Sequence, residues 1–119
     1  MTEENNDLKI IPCSVVETRS WYATNDLIPP APNFLHVVGK VKVDSTRVKA
    51  LLSPTMTQGL NPRVLELSLY LVEEGGTGSQ GITWYEARYI QEIKEVKFDR
   101  VEIYCGNDLI LTIEVEDAF

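Results

Sequence analysis

The sequence predicts an all-β protein, a two-sheet antiparallel β-sandwich of about seven strands, and three observations predict it. In the run Leu65-Glu66-Leu67-Ser68-Leu69-Tyr70-Leu71-Val72-Glu73, leucine recurs at every second residue. That is the period of a pleated strand, whose successive side chains leave opposite faces; a helix would scatter the same leucines around its circumference. The alternation returns in Val101-Glu102-Ile103-Tyr104-Cys105 and in Leu109 to Val115. Clusters of Gly, Asn, Asp and Pro separate these runs, as in chains of many short strands. A partly open β-barrel is the runner-up, and a helical segment at 82–93 would move the class to α+β.

Taken in order, residues 1–8 read as a frayed, acidic terminus, followed by one domain over 9–119. Ile11 to Thr18 is expected as a first strand, with Pro12 marking an edge or a strand start. Trp21-Tyr22 either extends it or begins another. Ile28-Pro29-Pro30-Ala31-Pro32-Asn33 has the composition of an extended, polyproline-like crossing. Phe34 to Val43 is a strand with Leu35, Val37, Val41 and Val43 on one face and His36, Lys40 and Lys42 on the other. Gly39 in its middle signals a bulge or a close backbone approach. Val48 to Leu52 forms a short strand, and Ser53-Pro54 with Gln58 to Pro62 leads into the leucine strand.

Burying the four leucines would contribute about 6–12 kcal/mol, an upper bound because unfolded chains already hide some apolar surface. Gly75-Gly76-Thr77-Gly78-Ser79-Gln80-Gly81 reads as a loop. In Ile82 to Ile93, strand alternation separates Glu86, Arg88 and Glu92 from Tyr85, Ala87, Tyr89 and Ile93. Helical spacing would also stack Tyr85, Tyr89 and Ile93; the aromatic content and the β-rich surroundings favour a strand. Val96 to Cys105 and Leu109 to Val115 close the chain as two strands joined by tight-turn chemistry at Gly106-Asn107-Asp108.

Across roughly residues 10–117 this patterning resembles the immunoglobulin- and fibronectin-like sandwiches. The hallmarks of true immunoglobulin domains are missing: Cys13 and Cys105 are too far apart for the intersheet bridge, and Ile103 stands where the corner tyrosine would lie. Gly39-Lys40-Val41-Lys42-Val43 and Gln58-Gly59-Leu60-Asn61-Pro62 are also similar to small bacterial proteins, a likeness that implies no activity and no site.

The net charge of −7 over 119 residues argues against nucleic acid, which requires a basic face. The local cluster Lys40, Lys42, Arg47 and Lys49, against Asp44, reads as the solvated side of a strand and its loop before it reads as a polyanion site. No apolar run approaches the roughly 20 residues that span a bilayer. The acidic, polar start is unlike a secretory signal, so a cytoplasmic location is expected. In that reducing setting Cys13 and Cys105 are expected as free thiols, Cys105 serving as a small core hydrophobe; pairing is the alternative.

Catalytic chemistry is sparse. His36, the one histidine, would have to serve any Cys-His or Ser-His-Asp arrangement, with Cys13 as the conceivable thiol. Neither Cys-x-x-Cys nor His-x-His is present, and Asn107-Asp108 and Glu114, Glu116 and Asp117 form no ordered calcium-ligand series. The glycine run lacks the lysine and following helix of a phosphate loop. Glu73/Glu74 and Glu92/Glu95 lack the cleft a glycosidase pair needs.

No enzyme activity, cofactor or metal is therefore expected. The candidate binding residues are aromatic and cationic: Trp84, Tyr85 and Arg88 beside the glycine loop, with Trp21 and Tyr22. On a strand Trp84 and Tyr85 point to opposite faces; the alternative to recognition is that the rings cap the core. The expected function is a non-enzymatic protein-interaction module, self-associating through an edge strand or binding another protein, without nucleic acid or membrane. The alternative is an inhibitor, small-ligand or carbohydrate-binding domain that uses Gly75–Gly81 and the adjacent aromatics, since small cytoplasmic sandwich domains resembling intracellular proteinase inhibitors make that role conceivable.

Overall fold

The computed structural model describes residues 9–11, 13, 17–75, 78 and 80–119. Strands dominate: β1 (Lys9–Ile11), β2 (Thr18–Asp26), β3 (Asn33–Ser45), β4 (Val48–Pro54), β5 (Val64–Glu73), β6 (Gln80–Ile93), β7 (Arg100–Cys105) and β8 (Asp108–Ala118). The described residues contain no helix, so 82–93 is strand.

The strands form one curled sheet with order β1-β5-β7-β8-β2-β3-β6, and β4 pairs with the other edge of β5. Most pairs are antiparallel, but β5–β7 and β2–β8 are parallel. The architecture is thus a mixed half-barrel, closer to the barrel alternative than to two separate antiparallel sheets. The cause lies in β8. Its first part, Asp108 to Glu114, pairs with β7, and Val115 to Ala118 pairs with β2. One strand belongs to both halves and welds them into a single sheet.

Inside the curl lies the core. Leu65, Leu67, Leu69 and Leu71 of β5 are all buried, as are Leu35, Val37, Val41 and Val43 of β3 and Val101 and Ile103 of β7. Period-two patterning supplies this core because each strand turns one face inward.

Several boundaries differ from expectation. Cys13 and Glu17 lie outside any strand, while residue 12 and residues 14–16 are outside the described set, so no described strand fills the interval between β1 and β2. Trp21-Tyr22 sits within β2. Residues 27–32 turn back between antiparallel strands, with Asp26 opposite Phe34, instead of crossing in extended form. β7 starts at Arg100, not Val96, because the preceding segment crosses between strands and is tied down on the way. The Asp99 amide donates to the Arg63 carbonyl at 2.7 Å, and the Val115 amide donates to the Asp99 carbonyl at 3.0 Å. The fully buried Asn25 holds the same crossing: its Nδ2 donates to the Phe98 carbonyl at 2.8 Å and to Asp117 Oδ1 at 2.9 Å. The expected frayed terminus at 1–8, and residues 76, 77 and 79 of the glycine run, lie outside the described residues.

The free-thiol expectation is overturned: Cys13 and Cys105 are joined in a disulfide, with Cα atoms 5.2 Å apart. β4 occupies one edge of β5, so β7 and β1 share the other, β7 beside Val64–Ser68 and β1 beside Leu71–Glu73. They approach each other from opposite ends and meet near Leu69. That meeting brings together two cysteines separated by 92 positions.

Candidate binding face

β6 alternates as its sequence dictates. Tyr85, Ala87 and Tyr89 lie opposite Val41, Gly39 and Val37 and share their inward face, whereas Trp84, Glu86, Arg88 and Ile90 lie opposite Lys42, Lys40, Val38 and His36 and face outward. On the far side of β3, Arg19 is opposite Lys40, Tyr22 opposite Val38 and Thr24 opposite His36. The outer surface of β2, β3 and β6 therefore gathers Arg19, Tyr22, Trp84, Arg88 and Ile90 around lysine and valine positions of β3.

The Arg19 guanidinium lies 3.9 Å from the centroid of the Trp84 ring. Such a contact contributes about 0.5–1 kcal/mol at an exposed site and fixes a planar cation over an aromatic face. Glu86 bonds Arg88 at 2.5 Å and approaches Lys40 at 3.9 Å, while Lys42 bonds Glu17 at 3.0 Å. Tyr22 and Ile90 are more than half exposed. A shallow hollow of about 270 Å³ opens beside His36, Val38, Arg88 and Ile90.

Of the candidates read from the sequence, Trp84, Arg88 and Tyr22 share this face. Tyr85 and Trp21 do not; both are partly buried against the core. Trp21 lies over Gly39, where an added Cβ would fall inside the indole. Its Nε1 is buried without a hydrogen-bond partner. Sequence reading missed Arg19 because β2 carries a bulge between Arg19 and Tyr22, with Ser20 at φ 61° in the left-handed region. Strict alternation from Tyr22 would send Arg19 inward; the extra residue turns it outward. A positive-φ serine leaves no local pattern from which that bulge could be read.

Other candidate chemistry is dispersed. Each base of the local cluster has a carboxylate partner: Lys40 with Glu86, Lys42 with Glu17, Arg47 with Glu73 and Lys49 with Glu74. Within the chain these carboxylates offset the charge of the cluster. His36 lies on the outer face of β3, 4.0 Å from Asp26. Cys13 is consumed in the disulfide, so the proposed Cys13–His36 nucleophile has no thiol. Among the described residues no group of three or more His, Cys, Asp or Glu could hold a metal ion. No described helix is long and apolar enough to cross a membrane. A second cleft, about 420 Å³, lies where the early parts of β2 and β8 diverge before they pair at Ala23 and Val115, and Trp21, Tyr22, Leu111 and Ile113 line it.

No protein-family model, curated protein or solved structure shows a significant match to this chain. Sheet geometry and side-chain chemistry alone therefore carry the functional reading.

Proposed function

We propose that this chain is a non-enzymatic protein-interaction module and that it binds through the outer face of β2, β3 and β6. The supporting observation is the Arg19–Trp84 stack beside exposed Tyr22, Arg88 and Ile90. Aromatic and arginine side chains presented on a rigid sheet are the groups that most often carry binding energy at protein interfaces. Strand backbone holds their spacing, so little ordering is needed on association.

Affinity capture with quantitative mass spectrometry tests the reading by comparing wild type with Trp84→Ala, Arg19→Ala and a control, Tyr70→Ala, on exposed Tyr70 of β5. A set of proteins lost with Trp84→Ala and Arg19→Ala but kept by the control supports the face. Identical capture by all four chains overturns it.

A further inference from the structure

β6 ends the sheet, and among the described residues no strand forms a ladder with its second edge. β4 leaves the β3 hairpin at the Gln80 end of β6, where Ser45 pairs with Gln80, and Lys49 reaches the Tyr85 ring at 5.6 Å without a ladder forming. The opposite end, from Glu86 to Ile93 with Lys94 just beyond the strand, carries an ordered charge pattern. At alternate positions it reads acid, base, isoleucine, acid, base: Glu86, Arg88, Ile90, Glu92, Lys94.

We infer that this edge pairs antiparallel with the same edge of a second copy of the chain, about a twofold axis at Ile90. In that register Ile90 meets its own counterpart, Arg88 lies opposite Glu92 of the second copy, and Glu86 lies opposite its Lys94. The axis repeats each ion pair, so four form across the seam. On the inner side Tyr89 meets Gln91, a residue to which its hydroxyl already donates at 2.6 Å within the chain.

The side chains are available. Arg88 and Lys94 are 72% and 76% exposed, and in the single chain they pair along their own strand with Glu86 and Glu92. Ile90 is 57% exposed. Proteins that protect a free edge commonly do so with charge that repels a second edge. Here the signs reverse about Ile90, so antiparallel self-pairing turns every such charge into an attraction. A pairing of this length covers less area than a permanent dimer does, so the association is reversible and concentration-dependent.

This inference goes beyond the outer face proposed above: it adds the free edge of β6 as a second contact surface and stands or falls apart from that face. Sedimentation equilibrium on the full chain tests it. Wild type should pass from monomer to dimer as concentration rises. Arg88→Glu and Glu92→Arg should each weaken the dimer about tenfold or more, because the axis makes each substitution count twice. An equimolar mixture of the two variants should form a heterodimer, and the double variant Arg88→Glu/Glu92→Arg should recover the homodimer. Circular dichroism melts establish that each variant is folded.

A wild type that stays monomeric up to about 1 mM overturns the inference, since any functional self-affinity would show by then. Loss of the dimer in Arg88→Glu but not Glu92→Arg also overturns it, and points to a register centred on Ala87. Trp84-dependent capture by a strictly monomeric chain would leave the binding face standing without the self-pairing. A dimer without such capture would do the reverse.

Discussion

Gly39 and Trp21 form one unit of packing although 18 positions separate them. The bulge at Ser20 swings the indole inward over β3, and it can lie there only because position 39 has no side chain. Aromatic cover of a strand glycine restores the packing and water exclusion the missing side chain would have supplied. Gly39→Ala should therefore destabilise by about 1–3 kcal/mol, the range for forcing an extra carbon into a filled site. In a Trp21→Ala background the same change should cost well under half as much, because the clash is gone. A double-mutant cycle from urea denaturation measures this coupling. Equal costs in the two backgrounds would show that Gly39 matters for backbone reasons unrelated to the ring.

At the scale of elements, the β6–β7 crossing is held by polar contacts. Asn25 donates to the Phe98 carbonyl and accepts from the Phe98 amide at 3.3 Å, and its amide also reaches Asp117, which bonds Lys97. Asn25→Ala would strand the Phe98 groups, and a loss of about 1–3 kcal/mol is expected in denaturant titrations. The hydrogen bond from Lys97, and then that from Asn25, hold the Asp117 carboxyl below its ordinary range. A lowered folded-state value means this contribution is present above the unfolded aspartate value of about 3.9 and is lost as pH falls through the folded one. Asp117→Asn should flatten the acid limb of stability in that window while leaving the neutral-pH slope unchanged. An unaltered acid limb would show that the carboxylate contributes nothing to it. These contacts also explain why Val96 to Asp99 looks like strand in sequence but is not: its apolar alternation is real, yet its backbone and neighbours are engaged by Asn25, Arg63 and Val115 from other elements. Alternation is local and readable, as the buried leucines of β5 show, whereas such capture by distant partners leaves no periodic trace.

For the whole molecule the same distinction holds. The outward positions of Trp84 and Arg88 follow from period two within β6, but the neighbours that make a face of them depend on β2 and β3 registers and on one bulge. The parallel pairs β5–β7 and β2–β8 join segments far apart in sequence, so alternation could suggest separate sheets but not the shared strand that fuses them. The disulfide is the clearest case, because its formation depends on β1 and β7 sharing one edge of β5 and meeting near Leu69. Closing a loop of 92 positions removes unfolded-state freedom worth about 4–5 kcal/mol in the chain-entropy model. That is a large fraction of the 5–15 kcal/mol by which a domain is ordinarily stable. Cys13→Ser/Cys105→Ser, or reduction of the wild type, should therefore lower the urea midpoint strongly. The double variant should no longer respond to reductant, and far-ultraviolet circular dichroism should still show a β-rich fold, because the core of β3, β5 and β7 does not depend on the link. If reduction leaves the midpoint in place, β1 is held by its ladder to β5 and the covalent bond adds nothing. If instead the reduced chain loses its β signal altogether, the half-barrel depends on covalent closure of the β1–β7 seam, and the leucine core alone is insufficient to hold it.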